Sequence, residues 1–226
     1  MEAILQVKHL TKTYISSGVE LTVLKDIHFS VKAGQGVSIV GPSGSGKTTL
    51  LGLCAGLDQP TDGIITLMDI ELNRLDEDDR AYVRNQYVGF IFQNFHLLPT
   101  INALENVMIP LELRGEKNIR GRAEDMLSRV GLTERMKHYP SQLSGGEQQR
   151  VAIARAFVSA PKILFADEPT GNLDEETADI VSKHLFQMNK EENTTLVLVT
   201  HNHKLAGHTG RILKLEGGLL VEDKLV

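Results

Sequence analysis

Gly41-Pro42-Ser43-Gly44-Ser45-Gly46-Lys47-Thr48 decides the fold of this chain. The stretch comes directly after the apolar segment Val37–Val40 and opens a helix-forming segment, Lys47–Leu57. Glycines at this spacing let backbone N–H groups close around phosphate oxygens, and the N-terminus of the following helix adds positive potential. A strand that runs into such a loop and then into a helix is the context that a phosphate-binding loop requires. The sequence therefore predicts a nucleotide-binding protein with an α/β core.

Two side chains of this loop have predicted roles of their own. Lys47 should reach the β- and γ-phosphates of the nucleotide, and the Thr48 hydroxyl should bind Mg²⁺. An ordinary glycine-rich turn is the alternative interpretation, and the combination of strand, lysine and threonine argues against it. The candidate nucleotide-binding residues of the loop are Gly41, Pro42, Ser43, Gly44, Ser45, Gly46, Lys47, Thr48 and Thr49.

A second motif, Ile163-Leu164-Phe165-Ala166-Asp167-Glu168, is an apolar strand that ends in two acids. A carboxylate in this position can hold Mg²⁺ through its water shell, and we assign that role to Asp167. Glu168 stands one residue further along and could orient or deprotonate an attacking water. Two solvated acids at a strand end are the alternative, which the phosphate loop makes less favourable.

A third motif, Leu143-Ser144-Gly145-Gly146-Glu147-Gln148-Gln149-Arg150, distinguishes among nucleotide-binding proteins. Ser144 followed three residues later by Glu147 is a capping-box pattern, which predicts that a helix begins here. With the other two motifs, this octapeptide makes the chain similar, from end to end, to the ATP-binding cassette (ABC) ATPases. The resemblance implies ATP and Mg²⁺ as cofactors and ATP hydrolysis as the activity.

The resemblance also implies that two copies of the chain share each ATP site. In the family, the signature motif caps the γ-phosphate of ATP held by the opposite subunit, so a homodimer is expected on ATP binding. The matching residues are Leu143, Ser144, Gly145, Gly146 and Glu147. Asp174, in Gly171-Asn172-Leu173-Asp174, matches the D-loop, which crosses the dimer interface.

Three further residues gain candidate roles from their positions in this series of motifs. Tyr14 matches the aromatic residue that stacks on adenine, and Gln93 matches the Q-loop glutamine that touches Mg²⁺ and the water. His201 matches the switch histidine that contacts the γ-phosphate. Considered alone, a tyrosine such as Tyr14 is more often a packing residue, and a histidine such as His201 at a strand end is more often structural. The resemblance thus implies a catalytic set of Glu168, His201 and Gln93 and a metal-binding set of Thr48, Gln93 and Asp167.

The elements predicted from hydrophobic periodicity fit one α/β domain. The resemblance implies a P-loop NTPase (RecA-like) core with an antiparallel β lobe, formed by residues 1–92 and 161–226, and a helical signature subdomain at residues 93–160. Predicted strands are Ala3–Lys8, Leu21–Leu24, Ile27–Lys32, Val37–Val40, Gly63–Leu67, Ile163–Ala166, Thr195–Thr200, Arg211–Leu215 and Leu219–Val221. Predicted helices are Lys47–Leu57, Asp76–Asn85, Ala103–Leu113, Ile119–Val130, Glu134–His138, the segment after Ser144, and Glu175–Asn189.

Composition restricts the class of protein and its partners. The 226 residues carry a net charge of −5, so no basic face is indicated and no nucleic acid partner is expected. A single cysteine, Cys54, allows no disulfide within the chain, which fits a reducing compartment. No signal-peptide pattern is present at the N-terminus, and the uncharged stretch Tyr87–Leu104 contains too many polar residues for a membrane span.

Within the ABC ATPases, Phe165–Asp174, Asn102–Val107 and Leu113–Glu116 resemble the lipoprotein-releasing, macrolide-exporting and cell-division branch. This implies an integral-membrane permease with a large extracytoplasmic domain as partner, and a cytoplasmic location on the inner face of the membrane. The apolar residues expected to include the permease contact are Phe90, Phe92, Phe95, Leu97, Leu98 and Pro99. A soluble single-cassette ABC ATPase that serves as a regulatory or assembly module stays open. A P-loop kinase or GTPase would leave the signature octapeptide unexplained.

Overall fold

The computed structural model describes residues 3–16 and 18–226. These residues form two compact units, one of Met1–Arg84 with Thr195–Val226 and one of Asn85–Thr194. The strands are β1 (Ala3–Ser16), β2 (Val19–Lys32), β3 (Gly36–Val40), β4 (Asp62–Leu67), β5 (Ile70–Glu71), β6 (Val88–Ile91), β7 (Ile163–Asp167), β8 (Thr195–Val199), β9 (Arg211–Glu216) and β10 (Leu219–Leu225). The α-helices are α1 (Lys47–Cys54), α2 (Glu77–Tyr87), α3 (Ala103–Leu113), α4 (Ile119–Arg129), α5 (Gly145–Phe157), α6 (Glu175–Glu192) and α7 (His203–Ala206).

The first unit contains an antiparallel sheet with the strand order β2-β1-β4-β5. Alternate residues of β1, such as Leu5 and Val7, are buried, which is the pattern of a sheet with one covered face. The predicted strands Leu21–Leu24 and Ile27–Lys32 are parts of one long strand, β2. The polar residues between the two predicted strands mark a local irregularity and not the end of a strand. Asp26 adopts a positive φ of 49° there, and the register against β1 shifts nearby.

The phosphate-loop strand lies in a second group of strands in the same unit, with the order β10-β9-β3-β8. β3 runs parallel to β8 and to β9, whereas β9 and β10 form an antiparallel hairpin around Gly217-Gly218. Every residue of β8 is buried, which explains its continuous run of apolar and threonine residues. Because β3 is held between two partners, the chain leaves the sheet at Gly41 from a fixed position.

In the second unit, β6 and β7 form a parallel pair, α5 packs against β6, and α3, α4 and α6 pack against α5. α5 contributes the largest buried face, including Val151, Ile153 and Phe157. The chain of β6 passes close to α5 at Gly89, where an added Cβ would lie 2.6 Å from the carbonyl oxygen of Ala156. This close approach fixes the strand that leads into Gln93 against the helix that begins at the signature motif.

Several predicted elements have the bounds that the structure gives them, and a few do not. α3 occupies the predicted range Ala103–Leu113, and α5 begins directly after Ser144. The short helix predicted at Glu134–His138 is wrong: this segment holds only a 3₁₀ turn, Thr133–Arg135, since residues up to Pro140 offer no further helical repeat. β5, β6 and α7 were not predicted because each is only two to four residues long.

Asn106 is the buried polar residue that organises the segment between β6 and α3. Its side-chain oxygen accepts a hydrogen bond from the N–H of Leu98, at 2.8 Å. Its amide nitrogen donates to the carbonyl oxygens of Leu98, Ile101 and Asn102, at 3.0 to 3.2 Å. A turn that lacks a regular ladder thus receives its hydrogen bonds from a single side chain.

Asn106→Leu should lower the free energy of unfolding by roughly 2–3 kcal/mol, because it keeps the branched shape of the side chain but leaves buried backbone groups without partners. Urea denaturation followed by circular dichroism measures the change. Asn118→Gly is the control, since Asn118 is exposed and adopts a left-handed φ of 55° that glycine accepts. Equal stability of Asn106→Leu and the wild type would contradict the assigned role.

Candidate functional site

The phosphate loop depends on glycine where the backbone turns. Gly41 has φ of 153°, and an added Cβ would lie 2.0 Å from the carbonyl oxygen of Leu215. Gly46 has φ of 98°, and its Cβ would lie 2.8 Å from a methyl carbon of Leu24. Larger residues would displace the neighbouring strands, so these glycines set the shape of the loop.

The loop also presents the groups that a phosphate chain requires. The Lys47 ammonium donates to the carbonyl oxygens of Gly41 and Pro42, at 2.9 and 2.8 Å, so it lies across the loop. The buried hydroxyl of Ser45 has no hydrogen-bond partner in the part of the chain that the structure describes. Gly46, the residue before α1, provides no side-chain cap, so the first N–H groups of the helix face the loop uncapped by a side chain. These features fit a bound polyphosphate.

Tyr14 lies on β1 in the same unit, with 41% of its surface exposed. Its hydroxyl donates a hydrogen bond to the Asp58 carboxylate, at 2.9 Å. Partial burial raises the pKa of Tyr14, and the bond to Asp58 adds to this effect. The hydroxyl therefore stays protonated, and its hydrogen bond to Asp58 holds the ring in place while part of the ring faces solvent.

The acidic pair follows the buried residues of β7. Asp167 is the last residue of the strand, and both it and Glu168 are half-buried, whereas the four preceding residues are fully buried. Glu168 has a left-handed backbone with φ of 43°, which is uncommon for a residue with a side chain of this size. The carbonyl oxygen of Glu168 accepts from the N–H of Gly171, at 3.0 Å, which closes a turn. Such a conformation at a predicted catalytic position is a mark of functional sites.

Gln93 forms a reciprocal network with Asn172. The Gln93 amide nitrogen donates to the Asn172 side-chain oxygen, at 3.1 Å. The Asn172 amide nitrogen donates back to the carbonyl oxygen of Gln93 and to the side chain of Asn94, at 3.1 and 2.9 Å. Asn172 had no predicted role of its own. Its partner lies 79 residues away in the chain, so only the fold reveals the contact.

Asp174, the predicted D-loop residue, caps the helix that follows it. Its carboxylate accepts from the N–H of Thr177 at 3.0 Å, and this bond lowers the pKa of Asp174. The D-loop therefore ends where α6 begins. A capping role and a role at a dimer interface are compatible, since the cap fixes the loop.

Two side chains of α5, Arg155 and Gln149, donate hydrogen bonds to the loops that follow β6 and β7. Arg155 donates to the carbonyl oxygens of Phe95 and His96, at 2.8 and 2.6 Å. Both of these residues have left-handed backbones, with φ of 57° and 48°. Burial lowers the pKa of Arg155, although the guanidinium remains charged near neutral pH. Gln149 donates to the carbonyl oxygen of Pro169, at 2.7 Å. Neither side chain was predicted to have a role.

The signature motif has the predicted capping box. The Ser144 hydroxyl accepts from the N–H of Glu147, at 3.3 Å, and the Glu147 carboxylate accepts from the N–H of Ser144, at 2.8 Å. Arg135 adds an ion pair to Glu147, at 3.0 Å. An added Cβ on Gly146 would lie 2.3 Å from a methyl carbon of Thr177, so α5 and α6 meet closely here. Ser144 itself is exposed.

His201 is exposed and lies between β8 and α7. The next residue, Asn202, caps α7 by accepting from the N–H groups of Lys204 and Leu205, at 2.9 and 3.2 Å. The N–H of Asn202 in turn donates to the Thr200 hydroxyl, at 3.0 Å. The backbone on the C-terminal side of His201 is therefore fixed.

The first unit thus carries the phosphate loop, Tyr14 and His201, and the second carries the remaining candidate residues: Gln93, Leu143, Ser144, Gly145, Gly146, Glu147, Asp167, Glu168 and Asp174. The described residues contain no group of three or more His, Cys, Asp or Glu side chains that could hold a metal ion. The predicted metal-binding set instead offers a hydroxyl, an amide and one carboxylate. This donor set fits Mg²⁺, which keeps several waters and binds substrate phosphates.

The chain belongs to the ABC transporter family, whose conserved sequence pattern matches residues 24–171. It is 49% identical over 224 residues to the uncharacterized ABC transporter ATP-binding protein YbbA of Escherichia coli K12, covering 98% of each chain. It is 48% identical over 221 residues to the lipoprotein-releasing system ATP-binding protein LolD of Legionella pneumophila strain Paris, covering 97% of each. A dimeric, post-hydrolysis structure of the ATP-binding cassette MJ0796 with ADP and Pi matches with a TM-score of 0.91, 40% identity and 98% coverage of each chain.

These findings confirm the ABC ATPase and P-loop NTPase predictions. The protein is an ATPase of the ABC transporter class, and it binds ATP. Across residues 3–16 and 18–226, no helix is both long enough and apolar enough to cross a bilayer.

The capping box at Ser144 gives a testable dependence of stability on pH. The N–H of Ser144, and secondarily Arg135, lowers the pKa of Glu147 below its ordinary value of 4.5. The folded state therefore gains stability from the ionised carboxylate above that ordinary value, and loses this gain as the pH falls through the lower pKa of the folded state. Glu147→Gln, which does not titrate, should lose less stability between about pH 5 and about pH 3.

Urea denaturation of both proteins across this pH range measures the difference. Glu134→Gln is the matched control, since Glu134 is an exposed acid in the preceding 3₁₀ turn. Parallel pH profiles for Glu147→Gln and the wild type would mean that the ionised carboxylate of Glu147 does not stabilise the folded state.

Proposed function

We propose that this chain is the ATP-hydrolysing subunit of a transporter in which two copies bind two Mg-ATP head to tail and drive an integral-membrane permease. The work is export, extraction of lipoproteins, or mechanical work across the membrane. The observation that carries the proposal is the signature segment, because Ser144 is exposed at the capped start of α5 rather than buried within its own chain.

Nucleotide binding rests on the phosphate loop and Tyr14. Backbone N–H groups of the loop and of the first turn of α1 surround the phosphates, and Lys47 exchanges its bonds to Gly41 and Pro42 for bonds to phosphate oxygens. Tyr14 stacks on the base. The residues of the whole segment Gly41–Thr49 take part, and the hydroxyl of Ser45, which bonds no atom of the described residues, is a further donor for a phosphate oxygen.

Hydrolysis is phosphoryl transfer to water, in which positioning and charge stabilisation dominate. Glu168 orients the water and accepts its proton, Gln93 positions it, and His201 contacts the γ-phosphate. Mg²⁺, held by Thr48, Gln93 and Asp167, would neutralise phosphate charge. Because the Gln93 amide nitrogen is bonded to Asn172, a rotation of the side chain towards the water would exchange that bond.

The shared site follows from the start of α5. The segment Leu143–Glu147 of one copy caps the γ-phosphate bound by the other, through the Ser144 hydroxyl and the N–H groups of the two glycines. The Asp174 loop crosses the interface. The relative MJ0796 forms a dimer with ADP and Pi bound, which supports a dimer here. ATP binds the closed dimer better than the open form and so shifts the equilibrium between them.

The membrane partner is proposed from an apolar surface and from a relative. Leu98 is 50% exposed and Pro99 is exposed, whereas Phe90, Phe92, Phe95 and Leu97 are only half-buried. Exposed apolar residues grouped in this way favour an interaction surface.

The relative LolD is part of a lipoprotein-releasing system, which favours extraction or export. The chain would then act on the cytoplasmic face of the membrane. In this scheme residues 93–160 form the subdomain that meets the permease, and residues 1–92 and 161–226 form the ATP-binding core.

Glu168→Gln should keep ATP binding, lower turnover by about a hundredfold or more, and trap a dimer in the presence of Mg-ATP. Light scattering coupled to size-exclusion chromatography measures the dimer, and phosphate release measures turnover. Glu112→Gln, at an exposed position of α3, is the matched control. Turnover near the wild-type rate would exclude Glu168 as the base.

The same assay tests the shared site when Ser144→Arg is added to Glu168→Gln. This double variant should bind ATP as a monomer and fail to form the dimer, because the arginine blocks the capping position. Ser141→Arg, three residues earlier and also exposed, should dimerise normally. A dimer that still forms with Ser144→Arg would contradict head-to-tail sharing of the ATP sites.

The partner is tested by purifying tagged Glu168→Gln with ATP from detergent-solubilised membranes and identifying bound proteins by mass spectrometry. Recovery of a permease with a large extracytoplasmic domain is expected, and Leu98→Ser should abolish it. Leu219→Ser is the matched control, since Leu219 is 47% exposed, close to the 50% of Leu98. Recovery of soluble proteins alone would favour the assembly-module function instead.

A further inference from the structure

Tyr14 is fixed from one side by a cluster of charged residues that none of the motifs includes. The Lys12 ammonium lies 4.7 Å from the centre of the Tyr14 ring. The same ammonium is 2.8 Å from the Asp58 carboxylate, which accepts the Tyr14 hydroxyl at 2.9 Å. One face of the ring is therefore occupied by a cation, and the ring's edge is bonded to the carboxylate that holds the cation.

Lys12 is unusually buried for a lysine. Only 10% of its side chain is exposed, against 41% for that of Asp58. Besides the carboxylate, the ammonium donates to the carbonyl oxygen of Gln59, at 2.6 Å. Two acceptors and a ring face thus account for a charge that would otherwise be costly to bury. A lysine buried at this cost, on a strand with one solvent-facing side, points to a functional role for the residue.

Asp58 is held as an ionised acceptor. Burial by itself would raise its pKa, but the hydrogen bonds from Lys12, from the Gln59 N–H and from Tyr14 outweigh this and lower it. The Gln59 N–H bond is 2.7 Å long. The carboxylate is therefore charged at neutral pH and bonded on both of its oxygens.

The cluster is connected to the phosphate loop through α1. Asp58 lies four residues beyond Cys54, where α1 ends, and α1 begins at Lys47. The Thr49 side chain, in the first turn of this helix, acts to lower the pKa of Tyr14, against the larger effects of burial and Asp58 that raise it. The loop after α1 is tied back to β1, because the Thr61 hydroxyl accepts from the N–H of Thr13 at 2.9 Å. The ring is thus placed at a set distance from the phosphate loop.

We propose that Lys12 and Asp58 are positioning residues that hold Tyr14 as a one-faced platform for the nucleobase. Lys12 covers one face, so the base stacks on the other, and Asp58 fixes the ring's orientation. The inference rests on the proposed role of Tyr14 as the base-stacking residue. The cluster should therefore strengthen binding of a nucleoside triphosphate. It should not affect binding of inorganic triphosphate, because that ligand has no base.

The test is isothermal titration of the full chain with a non-hydrolysable ATP analogue and, separately, with inorganic tripolyphosphate. Tyr14→Ala should weaken binding of the nucleotide by about tenfold or more, since base stacking on an aromatic residue is lost. Lys12→Met and Asp58→Asn should each weaken it by about two- to fivefold, with the ring left in place. Binding of tripolyphosphate should be unchanged in all three variants.

A double-variant cycle separates positioning from general support of the fold. In a chain that already carries Tyr14→Ala, Lys12→Met should have no further effect on nucleotide binding, because there is no ring left to position. Lys8→Met, at an exposed position of β1, and Asp69→Asn, in the exposed turn before β5, are the matched controls. Asp58→Asn carries the same test independently if Lys12→Met does not fold.

Two kinds of failure are distinguishable. Unchanged nucleotide binding by Tyr14→Ala would overturn the proposed base-stacking role, and the platform with it. A loss with Tyr14→Ala but none with Lys12→Met and Asp58→Asn would overturn the platform alone. An equal loss of nucleotide and tripolyphosphate, or a Lys12→Met effect that persists without the ring, would also overturn the platform, since the cluster would then act through the phosphate loop.

Discussion

The interaction on which the second unit depends is the set of hydrogen bonds that α5 donates to backbone carbonyl oxygens of the loops beside it. Arg155 holds Phe95 and His96, and Gln149 holds Pro169. Loops that leave a sheet lose their ladder partners, so their carbonyl oxygens need other donors. One helix supplies them for the segments after β6 and β7, and Ser144 caps the start of that helix. Displacement of the signature motif would therefore also displace Gln93 and the turn after Glu168.

In the first unit the main constraint is a different one: backbone N–H groups must lie close to a ligand. Gly41 and Gly46 pass so near Leu215 and Leu24 that no side chain fits, and the loop between them is thereby fixed against the sheet. Lys47 then crosses the loop to bond two of its carbonyl oxygens. The lysine that a nucleotide would engage therefore also stabilises the shape of the loop.

The features that could be predicted from sequence are those whose cause lies within a few residues. The capping box joins Ser144 to Glu147, the phosphate loop is one continuous stretch, and β8 shows its burial in its own apolar run. What sequence reasoning missed is non-local or short. Asn172 and Gln93 are 79 residues apart, and β6 has four residues and no visible period. Arg155 appeared as an ordinary charged residue in a helix, because nothing nearby indicates that two left-handed residues need its hydrogen bonds.

Under the proposed function, one nucleotide-binding residue and one catalytic residue have hydrogen-bond partners within the chain, and this affects the energetics of closure. Lys47 bonds the phosphate loop, and Gln93 bonds Asn172, whose amide also bonds the backbone of Gln93. A ligand gains only the difference between its own hydrogen bonds and those it replaces. For Gln93 the exchange is conditional, because the Asn172 bond to its backbone can persist while the side chain turns to the water. If Gln93 has the proposed role, its amide would exchange the bond to the Asn172 side chain without release of the Q-loop backbone, which would link the water-positioning glutamine to the proposed interface loop.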